Sequence, residues 1–278
     1  MLFCHLALEF IFVIALNWIH VTVQQVPSTA LTPDDYTRGN SLTNAQIHTN
    51  RQLHQKKPDV RRSNAPNNRA KRMEGLTTPG EIWPNARVPY ELSPAYTLNE
   101  RAFIARGFSE FERRTCVRFV PKTSADQDYV FIGKIDECFS ELGKAGGRQE
   151  LSLDSGCAID YPSVIHEAMH ALGFLHEHQR NDRDNYVRIL WQNIIPANRA
   201  LDYQKAAQSD PDLQFSNYGE PYDYFSIMHY SRNEDNEIGQ NVIEALVPGY
   251  TALMGMGSDF TQSDINQINR MYKCPQAG

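Results

Sequence analysis

Past its first 23 residues, this 278-residue chain has no apolar run near the ~20 residues that a membrane-crossing helix needs. It has no Cys-x-x-Cys pair, which argues against a cysteine-held zinc site. It has no Asn-x-Ser/Thr triplet either, so N-glycosylation is not expected. An excess of positive charge is also missing: the formal charge of −6 argues against a nucleic-acid partner. There is no internal repeat, and no second module is expected after Cys274. What remains suits a folded body. Hydrophobic residues make up 41% and aromatics 10%, which excludes a wholly disordered or collagen-like chain. The length allows one or two domains.

Charge is unevenly spread. From Gln24 to Arg72, nine Lys/Arg stand against three acids (Asp34, Asp35 and Asp59), whereas from Met73 onward 18 basic residues meet 29 acidic ones. A basic leader and an acidic body are therefore separate objects. Ahead of both, Leu2–Val23 is mostly apolar and densest from Phe10 to Leu16, the length and place of a secretory signal peptide. No Lys or Arg precedes it and Glu9 interrupts it, so a signal anchor or a misplaced start stands as the alternative. The leader is rich in Asn, Gln, Thr, Pro, Lys and Arg, cannot offset its ordering entropy by burial, and is expected to be largely disordered when alone. It ends in Arg69-Ala70-Lys71-Arg72, a cluster of the type that secretory processing proteases cut, unless it is simply a solvated charge run. Expected boundaries are thus 1–23 for the signal, 24–72 for a propeptide and 73–278 for the body. His48 and His54 lie in the leader, with nothing to support a metal role.

Five cysteines are present. Cys4 would leave with the signal. The four in the body (Cys116, Cys138, Cys157 and Cys274) form an even set that reads as two disulfides in an exported chain, with three possible connectivities.

Short Val/Ile/Phe/Tyr-rich runs at Arg87–Leu92, Val117–Val120, Tyr129–Gly133 and Gln149–Leu153 read as strands. Phe103/Ile104, Phe108 and Phe111 recur at helical steps within Asn99–Arg114, with Asn99 able to cap the start. A second helix opens at Pro162-Ser163 and should stop at Gly173. After an irregular stretch rich in Asp, Asn, Tyr and Pro, a third runs near Gln262–Tyr272, with Ile265, Ile268 and Met271 on one face. The fold class is α+β: a mixed sheet with two helices, then a loop-rich half tied off by a helix.

One segment carries chemistry: His166-Glu167-Ala168-Met169-His170-Ala171-Leu172-Gly173-Phe174-Leu175-His176. Four residues turn a helix by about 400°, so His166 and His170 project from one face, one turn apart. Glu167 is rotated only about 100° from His166 and can reach a water held there. Gly173 can take positive φ, end the helix and turn the chain back, so that His176 supplies a third nitrogen. Three neutral ligands leave a position open, the arrangement of catalytic zinc. With this composition, His-Glu-x-x-His would arise by chance in about 2% of shuffled chains, and its Gly-x-x-His extension in about 3 per 100,000.

Together with Ser226-Ile227-Met228-His229-Tyr230 downstream, this segment resembles the metzincin clan of zinc peptidases. Glu177, Phe174, Arg180-Asn181-Asp182-Arg183-Asp184 and the Ser-Ile-Met-His-Tyr run resemble, within that clan, the astacin family. The likeness extends from about Trp83 to Cys274. It implies a zincin-like catalytic domain with a five-stranded mixed sheet, two long helices including the active-site helix, and an irregular C-terminal subdomain ending in a helix. It implies one zinc on His166, His170 and His176, and Glu167 as general base toward the zinc-bound water. Met228 would form the floor under the metal, and Tyr230 would ligate zinc at rest and stabilise the oxyanion. Disulfides Cys116–Cys274 and Cys138–Cys157 are also implied, as is a buried contact of Glu177 near the mature N-terminus. The expected partners are protein or peptide substrates and a processing protease, with no membrane attachment of the mature, secreted form.

Three further expectations follow from the residues. The strand at Gln149–Leu153 is expected at the sheet edge above the zinc helix, where an extended substrate would add a strand. His178 and His229 are expected to back the ligand residues or to be structural, and Asp182 and Asp184 to form a salt-bridged turn with Arg180 and Arg183 rather than a calcium site. The family's latency motif, Phe-x-Gly-Asp in the propeptide, is not found. Tyr36-Thr37-Arg38-Gly39-Asn40 is a faint echo, with Asn where the acid would stand.

Overall fold

The computed structural model describes residues 28–48, 75–78, 80–154, 156–194, 202–209, 214–234, 236 and 238–275. The signal segment, His54, Asp59 and the basic cluster ending at Arg72 lie outside the described residues. Among the described residues no helix is long and apolar enough to cross a membrane.

The first element is α1 (Pro33–Ser41). Its cap, Thr32, takes the Asp35 N–H, while the Asp35 carboxylate takes the Thr32 N–H, and Pro33 occupies the first turn. A short α2 (Asn44–His48) follows. Next come β1 (Gly75–Leu76), β2 (Arg87–Leu92) and α3 (Leu98–Arg114). The cap of α3 is Thr97 rather than the expected Asn99, because Thr97 and Glu100 satisfy each other's backbone donors and the helix starts one residue earlier. Then follow β3 (Arg118–Pro121), β4 (Tyr129–Gly133), β5 (Cys138–Ser140), β6 (Arg148–Leu153) and α4 (Tyr161–Leu172).

Five strands form one mixed sheet in the order β3-β2-β4-β6-β5, parallel except for β5 against β6. The expectation for Gln149–Leu153 is corrected here. That strand, β6, lies between β4 and β5, so the outer edge belongs to β5. β5 has only three residues, Cys138-Phe139-Ser140, too few to show a period in the sequence. A peptide adding a strand on this side has to add to β5.

The C-terminal half contains β7 (Val187–Ile189), α5 (Ala206–Ser209), β8 (Phe215–Ser216), β9 (Ile243–Ala245) and α6 (Gln262–Met271). β7 pairs with β9, and β8 returns to pair with β1. Apolar side chains gather in two clusters. The larger lies among the main sheet, α3, α4 and α6; the smaller is a Tyr-rich group in the C-terminal half that includes Tyr203, Tyr222, Tyr224 and Tyr230. The disulfides pair as the resemblance implies. Cys116–Cys274 ties the segment after α3 to the chain end of α6, and Cys138–Cys157 ties β5 to the approach of α4.

The expectation of disorder concerns the leader alone; against the body, part of it is ordered. Residues 28–48 are folded and packed on the body: Leu31 and Ile47 are buried in the main core, and Asp35 is buried against Arg101 of α3. A low average hydrophobicity concealed a few well-placed apolar residues and a capped helix.

Candidate metal centre

The site is built on α4. Asp160 caps its start by accepting the Ser163 N–H at 3.0 Å, and Pro162 suits the first turn. Its other end is a left-handed Gly173 with φ of 107°, as the motif required. The carbonyls that a helix end leaves without partners are taken by distant groups. Trp83 Nε1 donates to Ala171 at 2.8 Å, Tyr272 donates its hydroxyl to Leu172 at 2.8 Å, and the Gly143 N–H reaches His170 at 2.9 Å. The helix that carries two of the three histidines is thereby fixed from the N-terminal side, the sheet and α6 together.

The three imidazoles converge. Nε2 of His170 is 3.1 Å from that of His166 and 3.2 Å from that of His176, and the third pair is 3.3 Å apart. Among the described residues this is the one group of His, Cys, Asp or Glu placed to hold a metal ion. The outer nitrogens set the tautomer. Nδ1 of His166 donates to the Ile227 carbonyl at 2.9 Å and Nδ1 of His170 to that of Phe174 at 2.6 Å, which turns both Nε2 lone pairs inward. Nitrogens about 2.0–2.1 Å from a tetrahedral zinc lie about 3.3 Å from one another, so the observed triangle fits that ion. Neutral nitrogen donors in a buried setting suit it chemically as well.

The remaining predicted residues surround the triangle. Glu167 is on α4 beside His166 and is buried. The Tyr230 ring lies 4.2 Å from the His176 ring and 4.3 Å from that of His178, centroid to centroid. Met228 is fully buried, and its carbonyl accepts the Glu177 N–H at 3.0 Å. Glu177 is buried, accepting from Arg180 at 2.9 Å and from the Asp223 N–H at 2.8 Å. Burial pushes its carboxyl up, and the Arg180 guanidinium pulls against that shift. Met73 and Glu74 lie outside the described residues.

His178 and His229 stand outside the triangle, as expected. Nε2 of His178 meets the Asp202 carbonyl at 3.1 Å, and that of His229 meets the Tyr222 hydroxyl at 2.7 Å. Burial holds His178 well below the ordinary histidine range and His229 at about 4, so both stay neutral near pH 7. Asp182 pairs with Arg180, and Asp184 with Arg183 and Lys205, the salt-bridged turn expected of that run.

Two contributors were not anticipated. Asp264, in the first turn of α6, accepts from the Ser226 hydroxyl at 2.6 Å and from the Ile227 N–H at 3.2 Å, holding the turn whose carbonyl orients His166. Arg101 on α3 is buried against the leader. The Thr261-x-x-Asp264 capping pattern was a visible signal for the first; the 66-residue separation of Arg101 from Asp35 left none for the second.

A mixed sheet, a histidine-bearing helix and three imidazoles closing on one point agree with the resemblance to the metzincin clan. Comparison with known proteins narrows this. The profile of the peptidase family described as Astacin matches residues 75–273. The chain is 43% identical over 254 residues to zinc metalloproteinase nas-8 of Steinernema carpocapsae, covering 88% of this chain and 59% of that protein. It is 45% identical over 209 residues to zinc metalloproteinase nas-7 of Caenorhabditis elegans, covering 74% and 52%. Among solved structures, high choriolytic enzyme 1, a hatching enzyme zinc-protease from Oryzias latipes (medaka fish), superposes with a TM-score of 0.62 at 38% identity, covering 70% of this chain and 94% of that one. This chain belongs to the astacin family. It spans between half and three fifths of the length of the two nematode relatives.

Proposed function

We propose that the chain is a secreted, zinc-dependent endopeptidase made as a proenzyme, with a signal at 1–23, a propeptide at 24–72 cut after Arg72 by a processing protease, and a peptidase domain at 73–278. The observation that carries the reading is the triangle of Nε2 atoms, 3.1–3.3 Å on a side, with Glu167 beside it on the same helix. His166, His170 and His176 would hold one zinc per chain. When bound, zinc supplies a Lewis acid that makes a nucleophilic water available at neutral pH and polarises the substrate carbonyl.

The other steps belong to the chain's own residues. Glu167 takes a proton from the attacking water and passes it to the leaving amine, for which a buried carboxylate next to the ligand helix is suited. Tyr230, packed against His176 and His178, presents a phenol that donates to the oxyanion. Ile227 and Phe174 keep the imidazoles aimed through their carbonyls. The two disulfides support an oxidising, extracellular destination. Protein and peptide substrates agree with the names of the relatives. The acidic body gives no support to a nucleic-acid partner.

The test is hydrolysis of casein or gelatin by the purified protein, before and after cleavage behind Arg72. Hydrolysis should appear on cleavage, vanish with a chelator, and fall by at least ~10²-fold in Glu167→Ala with zinc content unchanged. Stoichiometric zinc without hydrolysis in the processed wild type would instead make the chain a silent zinc-binding module.

A further inference from the structure

Residues 28–48 precede the region that matches the family, yet they complete the body rather than merely touch it. Arg101 on α3 is 3% exposed, and every acceptor of its guanidinium among the described residues comes from this segment. Nε and Nη2 donate to the Asp35 carboxylate at 3.0 and 2.9 Å, Nη1 to the Ser28 carbonyl at 2.9 Å, and Nη2 also to that of Ala30. The Leu92 N–H donates to the Thr29 carbonyl at 2.7 Å, two residues beyond Tyr90, the last β2 residue in register with β3. The Tyr90 hydroxyl accepts the Leu31 N–H at 3.0 Å.

Packing is equally close. Gly39 of α1 lies so near α3 that a Cβ there would sit 2.5 Å from the Ala102 carbonyl oxygen and 2.9 Å from the Arg106 nitrogen. Leu31 and Ile47 are buried at either end of the segment. Taking it away would strip the Arg101 guanidinium of its counter-charge and the Leu92 N–H of its acceptor, leaving water as their substitute, and would uncover the apolar surface on which Leu31 and Ile47 pack. Hydrogen bonds between a guanidinium and a carboxylate are about twice as strong as neutral ones, so the segment is held by more than apolar contact.

We propose that residues 28–48 are a permanent clamp. They stay bound to the body after the chain is cut ahead of Gly75, so the processed protein is a non-covalent complex of two chains. This rests on the reading that the leader is cleaved, but not on where, nor on catalysis. Asp35 is the key contact: its carboxylate is committed to Arg101, Arg38 and Thr32, while Asp34 on the same helix is exposed.

The test uses the chain from Ser28 onward, tagged at its N-terminus, with a site for a sequence-specific protease introduced between His48 and Gly75. After folding, the chain is cut and passed over a native sizing column. The tagged fragment should co-elute with the body and separate only in denaturant. A synthetic 28–48 peptide should exchange into the cut complex, and the same peptide with Asp35→Ala should bind about 100-fold more weakly or worse, as expected when one partner of a buried charge pair is truncated. Asp34→Ala should bind like the wild type. Because the peptides are added to folded wild-type body, none of these outcomes depends on whether a variant folds. A wild-type fragment that leaves the body on the native column, or an Asp35→Ala peptide that binds as tightly as wild type, overturns the proposal. Neither result bears on whether the body hydrolyses protein.

Discussion

Nδ1 of His166 lies 2.9 Å from the carbonyl oxygen of Ile227, 61 residues further along the chain. That contact joins the ligand helix to the methionine turn, and with its counterpart at His170 and Phe174 it directs two lone pairs at one point. Three such lone pairs converging on one point favour a cation between them. An ion bound by the folded chain alone adds its binding energy to stability, about 4 kcal/mol when its concentration is a thousandfold above Kd. Chelation should therefore lower the melting temperature by about 10 °C, taking 2–4 °C per kcal/mol for a domain of this size. Added zinc should restore it, and His170→Ala should abolish the response. A melting temperature indifferent to chelator and zinc would remove the metal from the account.

Tyr230 offers a separation of packing from chemistry. Its ring packs against both His176 and His178 and is buried. Tyr230→Phe keeps the ring and loses the hydroxyl. Stability should change by less than about 1 kcal/mol, while kcat/KM should fall by ~10²-fold, the usual effect of losing one oxyanion donor. Peptide kinetics alongside zinc analysis decides it. Undiminished activity would assign the chain's chemistry to another branch of the clan.

Much of this was legible in the sequence. β2 and β4 fall on the expected runs, β3 and β6 within a residue, and α4 stops at Gly173, because apolar periodicity and a helix-ending glycine act locally. The histidine motif works for the same reason: its spacing alone fixes three directions on one helix and its return. Less legible was whatever depends on distant partners. The three residues of β5 become an edge strand only because β6 supplies a neighbour. Asp35 reads as a capping acid, and nothing nearby announces Arg101. Composition averaged over Gln24–Arg72 missed Leu31 and Ile47, whose burial depends on position rather than on frequency.

Gly107 shows how the packing beneath the site can be tested. It lies in α3 where that helix meets α4, and a Cβ there would come within 2.6 Å of Val164 Cγ1. Elsewhere in a helix, Gly→Ala is stabilising by up to about 1 kcal/mol. Here the added methyl must push α3 from α4 or turn Val164 out of its rotamer, so Gly107→Ala should destabilise by about 1–3 kcal/mol. Because Val164 is two residues from His166, zinc affinity should weaken as well. Urea unfolding and a zinc titration together check this; a stabilised variant would mean that the two helices do not touch there.

Asp264 gives a prediction with a definite sign. The side chain is 1% exposed. Oδ1 accepts the Ser226 hydroxyl at 2.6 Å, and Oδ2 accepts the N–H groups of Ile227 at 3.2 Å and Thr261 at 2.9 Å. Burial drives the carboxyl up to about 6 from 3.8, and these three donors only partly oppose it. A raised acid holds its proton in the folded chain after the unfolded chain has lost it. Its contribution to stability is therefore complete below pH 3.8 and is lost as the pH climbs through about 6. With each tenfold change in proton affinity equivalent to about 1.4 kcal/mol, the loss is about 3 kcal/mol. Asp264→Asn keeps the shape: the amide oxygen can accept both N–H groups and the amide can donate to Ser226, while nothing titrates. The variant should thus gain about 3 kcal/mol on the wild type between pH 4 and 7, a difference that urea unfolding across that range would register. Asp264→Ala, which leaves Ser226 and Ile227 without their acceptor, should lose stability at every pH and loosen the carbonyl that orients His166. A difference between wild type and Asp264→Asn that stays level from pH 4 to 7 would show that the carboxyl is ionised throughout, and that its three donors outweigh its burial.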